Sequence, residues 1–99
     1  MQPRADDRQR PVLHLLIRGN VQGVGYRWAM VGQARRLGLG GWVRNRRDGT
    51  VEAMVAGPAD AVAMLLRWAH SGPPAAHVAE VVATPGEGDF VGFEQRPTV

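Results

Sequence analysis

The sequence predicts an α+β sandwich: a mixed, mostly antiparallel sheet of four to five strands with two helices on one face. Three observations lead there. Period-two alternation starting at Val12 and again near Thr50 marks half-buried strands. Apolar residues spaced three and four apart after Tyr26 and after Pro58 mark two amphipathic helices. An Asp48-Gly49 pair between two strand-like runs marks a hairpin, which requires antiparallel neighbours, whereas the helical crossovers require parallel ones.

The elements follow in order. Residues 1–11 mix charges with Pro3 and Pro11 and show no periodicity, so they read as a flexible tail before a single domain over 12–99. In the first strand, Leu13, Leu15 and Ile17 share one face, while His14 and Arg18 lie on the other. Gly19 to Gly25 is a glycine-rich turn. A helix runs from Tyr26 to Leu37, with Met30, Ala34 and Leu37 on one stripe, and Gly38, Gly40 and Gly41 stop it. Trp42 to Arg47 forms a second strand, Asp48-Gly49 a two-residue turn, and Thr50 to Ala56 a third strand with Val51, Ala53 and Val55 on one face. Pro58 suits the first position of a second helix, where no N–H is needed. Asp60 complements its positive end, and Val62, Leu65, Leu66 and Ala69 form its core stripe. A fourth strand covers His77 to Thr84 and a fifth Phe90 to Gln95. The order β-α-β-β-α-β with one extra strand is the ferredoxin-like split βαβ arrangement, a fold that hosts many activities and names none.

Composition excludes several chemistries. No cysteine means no disulfide, Cys-zinc site or thiol nucleophile, and it fits a reducing cytoplasm. All twelve cations are arginine. Without lysine there is no Walker A loop, Schiff base or pyridoxal-phosphate attachment. The longest apolar run, Ala61 to Leu66, is six residues, so no membrane association is expected. Residues 1–50 carry ten Arg against Asp6, Asp7 and Asp48, a net +7; residues 51–99 carry two Arg against six acids, a net −4. The basic half points to an anionic ligand. His14, His70 and His77 lack ligand spacing and read as structural or surface residues, so no metal site is expected.

The segment Gly19 to Arg27 holds the parts of a phosphoryl cradle. Its glycines let backbone N–H groups turn inward as an anion nest, the helix start adds its positive end, and Arg27 supplies a planar fork that matches two phosphate oxygens. A tight turn with a solvated Arg27 would have the same spacing.

IRGNVQGVGYR resembles the phosphate loop of acylphosphatases, and GWVRNRRDGTVEAMVAG, from Gly41 to Gly57, resembles that family's second signature. Leu37-Gly38-Leu39 keeps the spacing between them, and Gly72 to Val81 is similar to the family's entry into strand four. The resemblance spans residues 12–96. It implies metal-independent, cofactor-free hydrolysis of small acyl phosphates to carboxylate and phosphate, with phosphate a competitive inhibitor. The loop amides of Val21, Gln22, Gly23, Val24, Gly25, Tyr26 and Arg27 would hold the phosphate, Arg27 would clamp it, and Asn45 would position the attacking water. A side-chain amide fits that task, because it accepts from and donates to one water without acting as a base.

Two departures from the family concern the site. Tyr26 stands where Phe or Met is usual, so a buried ring would need a partner for its hydroxyl. Arg46 stands where Thr is common, and strand alternation sends it to the face opposite Asn45, toward solvent. A third lies at the C-terminus, where EQRPTV matches the family ending loosely and leaves strand five the least secure element. Trp28, Trp42 and Trp68 are expected at core edges, and Glu87 and Asp89 in a solvated loop. Two rival readings are a non-catalytic anion- or RNA-binding module and a regulatory domain acting with a partner enzyme. An RNA-recognition sheet needs aromatics on its central strands; strand one offers Leu, His and Ile, and strand three none, so no nucleic acid is expected. The expected form is a cytoplasmic monomer.

Overall fold

The computed structural model describes residues 10–99; the predicted tail falls almost wholly on residues 1–9, outside the described part. Of its last two positions, Pro11 already belongs to the fold, since its carbonyl accepts from the Gly57 N–H. The elements are β1 (Val12–Asn20), α1 (Tyr26–Arg36), β2 (Gly40–Asn45), β3 (Val51–Ala56), α2 (Ala59–Ala69), β4 (His77–Pro85) and β5 (Phe93–Gln95). They form one five-stranded sheet in the order β4-β1-β3-β2-β5. Three pairs are antiparallel, and β5 lies parallel to β2.

Alternation decides the faces. Leu15, Ile17, Val43, Val51, Ala53 and Val55 point inward and join Met30 and Ala34 of α1 with Val62, Leu65 and Ala69 of α2 in one core. The register puts Ile17 opposite Val51 and Val51 opposite Asn45, so these three form one row across the sheet. Asn45 thus belongs to the helix-covered face, at the end of β2 beside the turn that leaves β1.

Several local expectations need correction. The hairpin loop has three residues, Arg47 to Gly49. The Arg46 N–H donates to the Thr50 carbonyl, the Gly49 N–H to the Arg46 carbonyl, and Gly49 has φ 93°. This is the turn-plus-bulge solution, in which glycine takes the left-handed position. Pro58 sits one place earlier than expected, as the N-cap of α2, with its carbonyl accepting from the Val62 N–H. β5 is three residues long because Phe90 to Gly92 belong to the preceding loop.

The tryptophans also divide. Trp68 packs on the core, 5.3 Å from the Tyr26 ring centroid. Trp42 is buried on the opposite face of the sheet, because Val43 takes the inward position. It lies between the Arg44 and Arg96 guanidiniums, 4.5 and 5.1 Å from its ring centroid. Trp28 is 80% exposed. It lies two residues beyond Tyr26, roughly 200° around the helix, and so falls off the buried stripe of Tyr26, Met30 and Ala34.

Candidate active site

The turn after β1 builds a concave backbone. Gly23 and Gly25 have φ values of 74° and 82°, and a Cβ at either would meet nothing within 4 Å. Their left-handed backbone, rather than close packing, therefore calls for glycine. Gly25 is the N-cap of α1, no side chain caps the helix, and its first turn holds no acid. The first N–H groups of α1 are left for a ligand, and the helix end favours an anion.

Val21, Gly23, Gly25, Tyr26, Arg27, Trp28, Asn45 and Gln95 surround one small cavity of about 110 Å³. That is well below the roughly 300–1,000 Å³ of an ordinary small-molecule pocket and suits a group the size of a phosphate. The two side chains singled out from the sequence, Arg27 and Asn45, meet here from α1 and β2. Among the described residues, no carboxylate lies within ion-pairing distance of Arg27. Asn45 Oδ1 is buried and has no hydrogen-bond partner among the described residues. A buried acceptor left unpaired costs about 1–3 kcal/mol, and Asn45 is also one of the residues that line the cavity.

Gln22 and Val24 do not line the cavity. Val24 packs against the core, while the Gln22 amide donates to the carbonyls of Arg46 and Thr50 at 2.7 and 2.8 Å. Gln22 therefore ties the loop to the hairpin that carries Asn45. The carbonyl of Asn45 also accepts from the Val99 N–H at 3.1 Å, and the Arg47 N–H donates to the Val99 carbonyl at 2.8 Å. The loosely matching C-terminus thus extends the parallel edge past β5 and steadies the end of β2. Nothing in the sequence marks either tie, because both depend on which strands become neighbours.

Tyr26 is fully buried, and its hydroxyl donates to the Ala69 carbonyl at 2.7 Å. Burial pushes its phenol well above the ordinary range. The expected partner for the hydroxyl is therefore the last residue of α2, and Tyr26 anchors the loop without presenting its hydroxyl to the cavity. Arg46 is partly exposed, with Nε 3.9 Å from Asp48 Oδ2. Its neighbour Asp48 accepts hydrogen bonds from the Thr50 hydroxyl and N–H, which hold its carboxyl below the ordinary range.

On the open face of the sheet, Glu52 accepts from Arg44 Nε at 2.8 Å and lies 2.6 Å from His14 Nε2. Burial raises the Glu52 carboxyl, but the hydrogen bonds and charges of His14 and Arg44 outweigh it and leave a net lowering. His14, Glu52, Arg44, Trp42 and Arg96 thus form one network on the face opposite Asn45. A larger recess, about 660 Å³, opens at the other end of the sheet near Leu39, Gly40 and Phe90, and none of the predicted site residues lines it. Among the described residues, no three His, Asp or Glu side chains group as a metal site requires, and no helix is long and apolar enough to cross a membrane.

A family model described as acylphosphatase matches residues 13–95. The acylphosphatase of Acidovorax sp. (strain JS42) is 61% identical over 87 residues, covering 87% of this chain and 90% of that one. That of Thiobacillus denitrificans is 56% identical over 84 residues, covering 85% and 94%. Among solved structures, an acylphosphatase from Coxiella burnetii superposes with a TM-score of 0.87 at 32% identity, over 93% of this chain and 98% of that one. Full-length HypF, in a phosphate- and nucleotide-bound form, matches with a TM-score of 0.82 at 25% identity, over 91% of this chain but 12% of that much longer one.

Proposed function

The chain belongs to the acylphosphatase family and hydrolyses acyl phosphates to carboxylate and phosphate, and from that premise we propose how its residues divide the work. The backbone N–H groups of Val21 to Arg27 and the start of α1 hold the phosphoryl oxygens. Arg27 adds its bidentate fork and neutralises charge as the transition state forms. Asn45 positions a water in line with the breaking bond, accepting from it through Oδ1. The water oxygen bonds to phosphorus as the bond from phosphorus to the acyl oxygen breaks, and the electron pair leaves on the carboxylate. The water's protons pass to the phosphate oxygens, giving dihydrogen phosphate. A carboxylate is a good leaving group, so positioning and electrostatics supply most of the catalysis and no general acid is needed.

The observation that carries this reading is Asn45 on the wall of the cavity that Gly23, Gly25 and Arg27 also line, with its buried Oδ1 left without a hydrogen-bond partner among the described residues. The residues of this mechanism complete it without a metal or cofactor. Residues 12–99 act as one acylphosphatase-like domain, a cytoplasmic monomer whose ligands are a small acyl phosphate and its phosphate product. The test is hydrolysis of benzoyl phosphate in excess chelator. The expected result is full activity, inhibited competitively by inorganic phosphate. Activity lost to the chelator and restored by a divalent ion, or phosphate that fails to compete, would refute the reading.

A further inference from the structure

The indole of Trp28 is 80% exposed and takes no part in the core. It nevertheless borders two neighbouring spaces. One is the small cavity it shares with Arg27 and Asn45. The other is a shallow groove of about 530 Å³ along α1, lined among others by Val31, Gly32 and Gln95. Trp28 and Gln95 belong to both linings, so the cavity and the groove adjoin at these two side chains.

Gly32 lies one helical turn after Trp28, in the interior of α1. Glycine there costs about 1 kcal/mol relative to alanine, and a Cβ at Gly32 would meet nothing within 4 Å. Packing does not require it, and its missing side chain keeps the groove open beside the indole.

An acyl phosphate is anionic at one end only. With its phosphoryl group beside Arg27, the carbonyl and the rest of the acyl group must leave through the mouth. We infer that Trp28 and Gly32 form an acyl-side subsite that selects substrates with a planar, aromatic acyl group over short aliphatic ones. This rests on the phosphoryl group sitting where proposed above. An aromatic acyl group laid against the indole gains an offset-stacked contact and removes apolar surface of both partners from water. An acetyl group has no ring to lay against the indole.

The experiment compares kcat/KM for benzoyl phosphate and acetyl phosphate in the wild type, Trp28→Ala, Trp28→Phe and Gly32→Leu. The benzoyl-to-acetyl ratio should fall about tenfold in Trp28→Ala, the loss of one aromatic contact, and stay close to wild type in Trp28→Phe. Gly32→Leu should lower the ratio by filling the groove. Acetyl phosphate turnover should fall less than benzoyl phosphate turnover in Trp28→Ala, and inhibition by phosphate should hold in Gly32→Leu. A ratio indifferent to Trp28, or equal loss on both substrates, overturns the subsite while leaving the Arg27 site intact. A wild type that hydrolyses neither compound overturns the placement of the phosphoryl group and the subsite with it.

Discussion

The side-chain amide of Gln22 donates to the Thr50 carbonyl at 2.8 Å, joining the loop after β1 to the far side of a hairpin twenty-eight residues away. Its second hydrogen bond, to the Arg46 carbonyl, falls on the residue next to Asn45. One side chain thus ties the loop after β1 to the hairpin that carries Asn45.

Gln22→Ala should therefore lower both stability and rate. Two net hydrogen bonds contribute about 1–3 kcal/mol to stability, and a misplacement near 1 Å can cost on the order of a hundredfold in rate. Gln22→Glu should be worse, since it aims a carboxylate at two carbonyls. Thermal denaturation and acyl phosphate turnover check both variants. An unchanged rate in Gln22→Ala would show that the loop keeps its place without this tie.

Asn45→Ala should keep phosphate binding and lose turnover. In the proposed division of work, Arg27 and the loop amides hold the phosphoryl group in the ground state as well as later, whereas water placement matters chiefly in the transition state. The expected loss in kcat is about 10²–10³-fold, by analogy with removing one preorganised donor from an oxyanion site. Phosphate should still raise the melting temperature as it does for the wild type. If that stabilisation vanishes too, Asn45 is a phosphate ligand and not a water-positioning group.

Arg27→Lys separates charge from geometry. Lysine keeps the positive charge but lacks the planar fork. Most of the activity and of the phosphate-induced stabilisation should be lost, while Arg18→Ala, at an exposed residue facing Glu80, should change the rate little. Near wild-type turnover in Arg27→Lys would reduce Arg27 to a source of general positive potential.

Glu52 gives the fold an acid-sensitive contribution. Its folded-state carboxyl lies below the ordinary 4.5 because the hydrogen bonds and charges of His14 and Arg44 outweigh its burial. A depressed acid adds stability that is complete above its unfolded value and disappears as pH falls through the folded one. Glu52→Gln should thus flatten the decline of unfolding free energy below about pH 4.5, with Asp48 supplying part of the slope that remains. Denaturant melts from pH 6 to 3 measure this, and parallel curves for the two proteins would exclude the assignment.

Most of the fold, and half of the site, could be read from local pattern. The alternation at Leu13, Leu15 and Ile17 and at Val51, Ala53 and Val55 fixes strand faces, because side chains alternate whatever the strand pairs with. Gly23 and Gly25 announce a left-handed turn through their own backbone freedom, and Arg27 lies in the first turn of the helix they open. What needed the tertiary structure is every relationship between distant segments. The row Ile17–Val51–Asn45 arises from the pairing of three strands. The ties from Gln22 and Val99 appear only when the hairpin and the parallel edge are in place. Trp28 and Trp42 part company for a related reason. Helical rotation carries one to the mouth of the cavity, and strand alternation carries the other to the open face, between Arg44 and Arg96. Backbone geometry acts over a few residues, so sequence alone determines the elements and their faces. Strand register acts across the chain, so only the folded sheet decides which side chains meet.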